Sequence, residues 1–104
     1  MDRIVERGML YDFYGELLTE HQKSVYEELV YNDMSLSEIA GEYDITRQAA
    51  HDLIRRCDKL LNGYEEKLHL IAKFQKIMSK VEEIEKTSTQ DVVRKLAGQI
   101  LEEI

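Results

Sequence analysis

The chain has no proline, no tryptophan and a single cysteine, and it lacks any surplus of positive charge: 14 lysines and arginines stand against 21 aspartates and glutamates, a formal net charge of −7. Each shortage excludes something. Cys57 has no partner for an internal disulfide, and His21, His51 and His69 lie too far from it and from one another to suggest a metal site. The glycines are scattered, so no phosphate-cradling loop is present. No apolar run reaches the roughly 20 residues of a membrane-crossing helix. The N-terminal "MDRIVERGML" has no apolar stretch followed by a cleavage pattern, so a cytoplasmic protein without membrane insertion is expected. No nucleophile motif or paired-carboxylate signature appears, so neither an enzyme nor a cofactor is expected. The acidity works against indiscriminate affinity for nucleic acid, which depends on Lys and Arg displacing counterions from phosphates.

What is present points to an all-α fold. Leu10, Phe13, Tyr14, Leu17 and Leu18 recur at three- and four-residue spacing and predict one helix through the first 18 residues. Thr19 with Gln22 has the spacing of a capping box, and Val25, Tyr26, Leu29 and Val30 form the stripe of a second helix that Asn32-Asp33 should end. Ser35 with Glu38 announces a third, short helix carrying Leu36, Ile39, Ala40 and Tyr43. Asp44 suits a left-handed turn, and Thr46 can cap a fourth helix whose apolar side is Ala50, Leu53, Ile54 and Cys57. The same phase runs on through Leu60, Leu61, Tyr64, Leu68, Ile71, Phe74, Met78 and Val81, which favours one helix of about 35–40 residues over a break at Asn62-Gly63. After "KTSTQD", Val92, Val93, Leu96, Ala97, Ile100, Leu101 and Ile104 predict a terminal helix. Residues 1–62 then form a head and residues 63–104 an arm. The arm's stripe is too long for so small a head to cover, so the last helix must fold back on it or a second copy must cover it; a homodimer is expected.

"SLSEIAGEYDITRQAAHDLIRR" carries what two steeply crossing helices need. Ala40 is small at the crossing, Asp44 sits at the turn, and Ile39, Tyr43, Ile45, Ala50 and Leu53 form the wedge. Arg47, Gln48, His51 and Arg55 then fall on the outer face of the second helix, the first two in its opening turn, where recognition helices contact base edges. The plain alternative is a solvated face, with Asp52 and Arg56 as an ordinary i,i+4 ion pair. On the long helix His69, Lys73, Lys76 and Lys80 share one side and could track RNA phosphates, although Glu65, Glu66 and Glu83 nearby favour a solvated surface.

"LYDFYGELLTEHQ", "MSLSEIAGEYDITRQAAHDLIRRCDKLL" and "YEEKLHLIAKF" make the chain, from Leu10 to Phe74, similar to the small bacterial YlxM-like proteins, whose helix-turn-helix resembles region 4 of sigma factors. The resemblance implies an all-α fold without a wing. It also implies a DNA-binding or regulatory protein associated with the signal recognition particle pathway, with Arg47, Gln48, His51 and Arg55 at the contact positions. DNA is one implied partner, and the particle's RNA or GTPase, engaged by an adaptor, is the other. Asp44 departs from the glycine often found at that turn, and Asp52 adds a negative charge to the recognition face.

Overall fold

A computed structural model describes residues 3–103. Among these residues the elements are α1 (Arg3–Tyr14), a 3-10 turn (Gly15–Leu17), α2 (Glu20–Val30), α3 (Leu36–Tyr43), α4 (Arg47–Leu68), α5 (Leu70–Thr87) and α6 (Asp91–Glu103). They form two compact units, Met1–Leu68 and His69–Ile104.

The predicted caps close the first unit's helices. Thr19 Oγ1 accepts the Gln22 N–H at 3.2 Å while Gln22 Oε1 accepts the Thr19 N–H at 2.9 Å. Ser35 and Glu38 make the same reciprocal pair at 3.1 and 3.0 Å. Both boxes satisfy N–H groups that a helix start leaves orphaned. The core takes Leu10, Tyr14 and Leu18 from the first segment, Val25 and Tyr26 from α2, Ile39 and Ala40 from α3, and Ala50, Ile54, Cys57 and Leu61 from α4. The tyrosines pack among themselves: Tyr11 stacks on Tyr26 at 5.7 Å between centroids and meets Tyr31 edge-on at 5.6 Å.

The first helix is shorter than its stripe suggested. It stops at Tyr14 and tightens into the 3-10 turn, where each residue advances about 120° instead of 100°. That change of phase buries Leu18 and turns Leu17 outward, correcting the expectation that both lie on one covered stripe. Gly15 makes the tightening feasible, because a Cβ there would meet the Tyr11 ring at 2.9 Å.

One polar cluster joins three helices. Asp58 of α4 accepts from Arg7 of α1 through Nε at 3.1 Å and Nη2 at 2.6 Å, and from the Tyr26 hydroxyl of α2 at 2.5 Å. Burial, reinforced by the Asp58 charge, pushes the Tyr26 hydroxyl well above its ordinary pKa, so it remains a donor.

Helix α4 runs unbroken through Asn62 and Gly63. The Asn62 side chain donates to the Asp58 carbonyl at 2.8 Å, and nothing lies within 4 Å of a Cβ built on Gly63. The expected continuous helix ends instead at Leu68, where His69 takes left-handed angles, φ 54 and ψ 30, before α5 begins. Histidine is among the residues that tolerate this region best after glycine, so no sequence breaker announces the interruption.

In the second unit α6 folds back along α5 across the short link 88–90. Val81 and Ala97 are buried on the facing sides of the two helices, Phe74, Met78, Val93 and Leu101 are half-buried, and Ile71 at the start of α5 is buried as well. The rest of the predicted apolar faces stays outside: Leu70, Ile77 and Ile84 on α5, and Val92, Leu96 and Ile100 on α6, are all 45–70% exposed. Ile104 lies outside the described residues.

Candidate nucleic-acid interface

The site is built from the α3–α4 turn. Helix α3 ends on Asp44 at φ 54 and ψ 48, the left-handed conformation expected of it, and the amide of Ile45 reaches back to the Ala40 carbonyl at 3.0 Å. Two residues later Thr46 Oγ1 accepts the Ala49 N–H at 3.0 Å and starts α4. Ile39 and Ala50 at the helix crossing are fully buried, and Ala40 nearly so. A larger side chain at Ala40 or Ala50 would separate the two backbones, which is why small residues occupy them.

This geometry exposes Arg47, Gln48, His51 and Arg55 on one side of α4. They are not equally available. Gln48 donates its side-chain amide to Asp52 at 3.0 Å, and His51 Nδ1 lies 3.6 Å from the same carboxylate. Asp52, whose charge the sequence already placed near this face, thus holds two of the candidate contact residues, and no ion pair with Arg56 is seen among the described residues.

The fold also brings in residues that helical periodicity could not associate with this face. Arg3 and Arg7 of α1 line a recess of about 420 Å³ together with His51, Arg55 and Asp58. Arg7 and Asp58 are 51 positions apart, so neither composition nor spacing linked them.

The second set of candidates is placed differently. Lys73, Lys76 and Lys80 are exposed on α5, while His69 stands outside both helices at the left-handed junction. Its carbonyl accepts the Lys73 N–H at 3.0 Å.

These features define an all-α helix-turn-helix protein. The sequence pattern of the UPF0122 family, described as "Putative helix-turn-helix protein, YlxM / p13 like", matches residues 1–100, and the chain belongs to that family. It is 38% identical over 104 residues to a UPF0122 protein of Shouchella clausii, covering 100% of this chain and 95% of that one. A UPF0122 protein of Clostridium botulinum is 48% identical over 96 residues, 88% of each chain, and one of Bacillus cereus is 37% identical over 107 residues, 100% of this chain and 96% of its own. The family is described by its helix-turn-helix and by no reaction. Among the described residues, no helix is long and apolar enough to cross a membrane.

Proposed function

We propose that the chain is a cytoplasmic DNA-binding regulator that inserts the start of α4 into the major groove. The observation that carries this reading is the left-handed turn at Asp44, which leaves Arg47 exposed in the first turn of α4 with Gln48 beside it. Arginine can grip guanine O6 and N7 bidentately and glutamine can grip adenine, provided Gln48 releases Asp52. Arg47→Ala should weaken duplex binding and relax base preference, and the binding should weaken steeply with added salt. Unchanged binding curves for Arg47→Ala on a selected duplex would remove the recognition role.

The exposed apolar residues support a homodimer built on the second unit. Ile77 precedes by one position the half-buried Met78 on the α6-facing side of α5, and Val92, Leu96 and Ile100 each precede a buried or half-buried residue on the α5-facing side of α6. An antiparallel helix pair has two-fold symmetry across its plane, so both sets emerge on the same side, with Ile84 continuing the α5 row. Five large apolar side chains sharing one side, Ile77, Ile84, Val92, Leu96 and Ile100, exceed the single scattered residues usual on a monomer's surface. A second copy would cover them and pair two heads for a two-fold site.

A second reading is favoured by Asp52 and by the acidity of the first 33 residues, which carry three basic residues against eight acidic ones. In it the chain is an adaptor of the signal recognition particle pathway, the role implied by the YlxM-like resemblance. It would bind the particle's GTPase, or its RNA through Lys73, Lys76 and Lys80 with His69, without reading DNA. Capture of that GTPase that survives both nuclease treatment and Arg47→Ala would favour the adaptor over the DNA reader.

A further inference from the structure

We propose that the recess between α1 and α4 binds a phosphate group, and that on a duplex it receives a backbone phosphodiester at the rim of the groove. The second part rests on the groove reading above; the first does not.

In a chain of net charge −7, Arg3, Arg7 and Arg55 converge on one hollow of about 420 Å³ with His51 beside them. Among the described residues the one acid lining it is Asp58, and both of its carboxylate oxygens are already engaged, by Arg7 and by the buried Tyr26 hydroxyl. Among the described lining residues three arginines face one aspartate, an excess of positive charge. Arg3 is held only loosely, 3.5 Å from Asp58 with its side chain 74% exposed, so it is free to turn towards an incoming anion. Leu29, Leu36 and Ile54 add apolar surface to the same lining, and low-dielectric surface strengthens the field of the charges beside it. Planar guanidinium groups suit a tetrahedral anion, since each offers paired N–H donors to two of its oxygens.

Helix geometry sets where such an anion would lie. Eight residues separate Arg47 from Arg55, about 12 Å along α4, and the major groove is also about 12 Å wide. If Arg47 meets base edges, Arg55 is level with the phosphates of the groove wall, and α1 brings Arg3 to the same level. The first helix, 44 positions upstream of the recognition helix, would then belong to the interface. Free phosphate esters share this chemistry, and the experiment separates them from a strand.

The first arm titrates inorganic phosphate into the full-length chain at constant ionic strength, observing the arginine Nε–Hε groups by NMR. Saturable shifts at Arg3 and Arg55, with Arg56 and Arg94 unmoved, are expected. Arg3→Ala and Arg55→Ala should each weaken phosphate about tenfold, the loss of one charge-assisted hydrogen bond. Small linear shifts of every arginine alike would overturn the proposal.

The second arm measures binding of a short mixed-sequence duplex against salt. Arg3→Ala should lower the slope of log K on log salt by about one, with no change in thermal midpoint. An unchanged slope beside a saturable phosphate site overturns the rim contact and assigns the recess to a free phosphate ester. If the unaltered chain binds phosphate but no duplex, the groove reading fails and the recess stands. If Arg47→Ala abolishes duplex binding while Arg3→Ala and Arg55→Ala change nothing in the phosphate arm, the recess falls and the groove reading stands.

Discussion

Replacing Arg7 by methionine tests whether Asp58 holds the N-terminal helix to the recognition helix. The side chains of Arg7 and Asp58 are 18% and 14% exposed, and their two hydrogen bonds measure 3.1 and 2.6 Å. Removing one partner of a fully buried pair costs about 3–5 kcal/mol, because the other charge stays behind unpaired. Some solvent reaches this pair, so the lower end applies, about 3 kcal/mol. For a domain of this size that lowers the thermal midpoint by roughly 12–20 °C. Arg3 lies 3.5 Å from the same carboxylate with its side chain 74% exposed, and an exposed pair of that kind is worth about 0–1 kcal/mol. Thermal melts followed by circular dichroism should therefore separate Arg7→Met from Arg3→Met by at least about 8 °C. Arg7→Met combined with Asp58→Leu should recover part of the loss, because no unpaired charge then remains, although Tyr26 loses its acceptor. Equal melting points for the two arginine variants would refute the reasoning.

Other outcomes follow from the same structure. Asp44→Gly should stabilise by about 0.5–1 kcal/mol by relieving a left-handed non-glycine residue, while Asp44→Val should destabilise by at least 1–2 kcal/mol; urea midpoints moving in the same direction would contradict this. Stability should fall at alkaline pH, since burial and then the Asp58 charge push the Cys57 thiol from 9.0 up to about 11, and the Asp12 hydrogen bond and then burial push the Tyr31 hydroxyl from 10.0 up to about 12. Both groups hold their protons more tightly when folded, so their contribution is complete below the unfolded values and is lost as pH rises through the folded ones; a urea midpoint unchanged between about pH 8 and 11 would oppose it. Ellman's reagent should react with Cys57 no faster than the chain opens, because that side chain has no exposed surface. Ile77→Glu with Leu96→Glu should yield a monomer by sedimentation equilibrium with helicity intact, whereas a dimer persisting in that variant would show that this side is not the contact.

Much of the head was legible because its signals are local. A capping box needs partners three residues apart, and both sequence matches, Thr19 with Gln22 and Ser35 with Glu38, fold as such. The turn at Asp44 is likewise a matter of one residue's backbone preference, and the burial of Ala40 and Ala50 follows from helical spacing on either side of it. The outward direction of Arg47, Gln48, His51 and Arg55 needs only the phase of a single helix. Phase alone misjudged Leu17, because a 3-10 turn changes the angle per residue, and it missed the stop at His69, which no proline or glycine marks.

By itself, then, the sequence determined the all-α class, the caps, the helix-turn-helix and which face of α4 is polar, since each depends on residues within two helical turns. Only the tertiary structure decided that Arg7, 51 positions from Asp58, would close on it, and that Arg3 and Arg7 would share a recess with His51 and Arg55. It also decided which half of the terminal helix's apolar face would be covered by α5. Contacts between distant segments depend on how helices stack, and stacking minimises the exposed surface of the whole unit, a quantity that no short window of sequence contains.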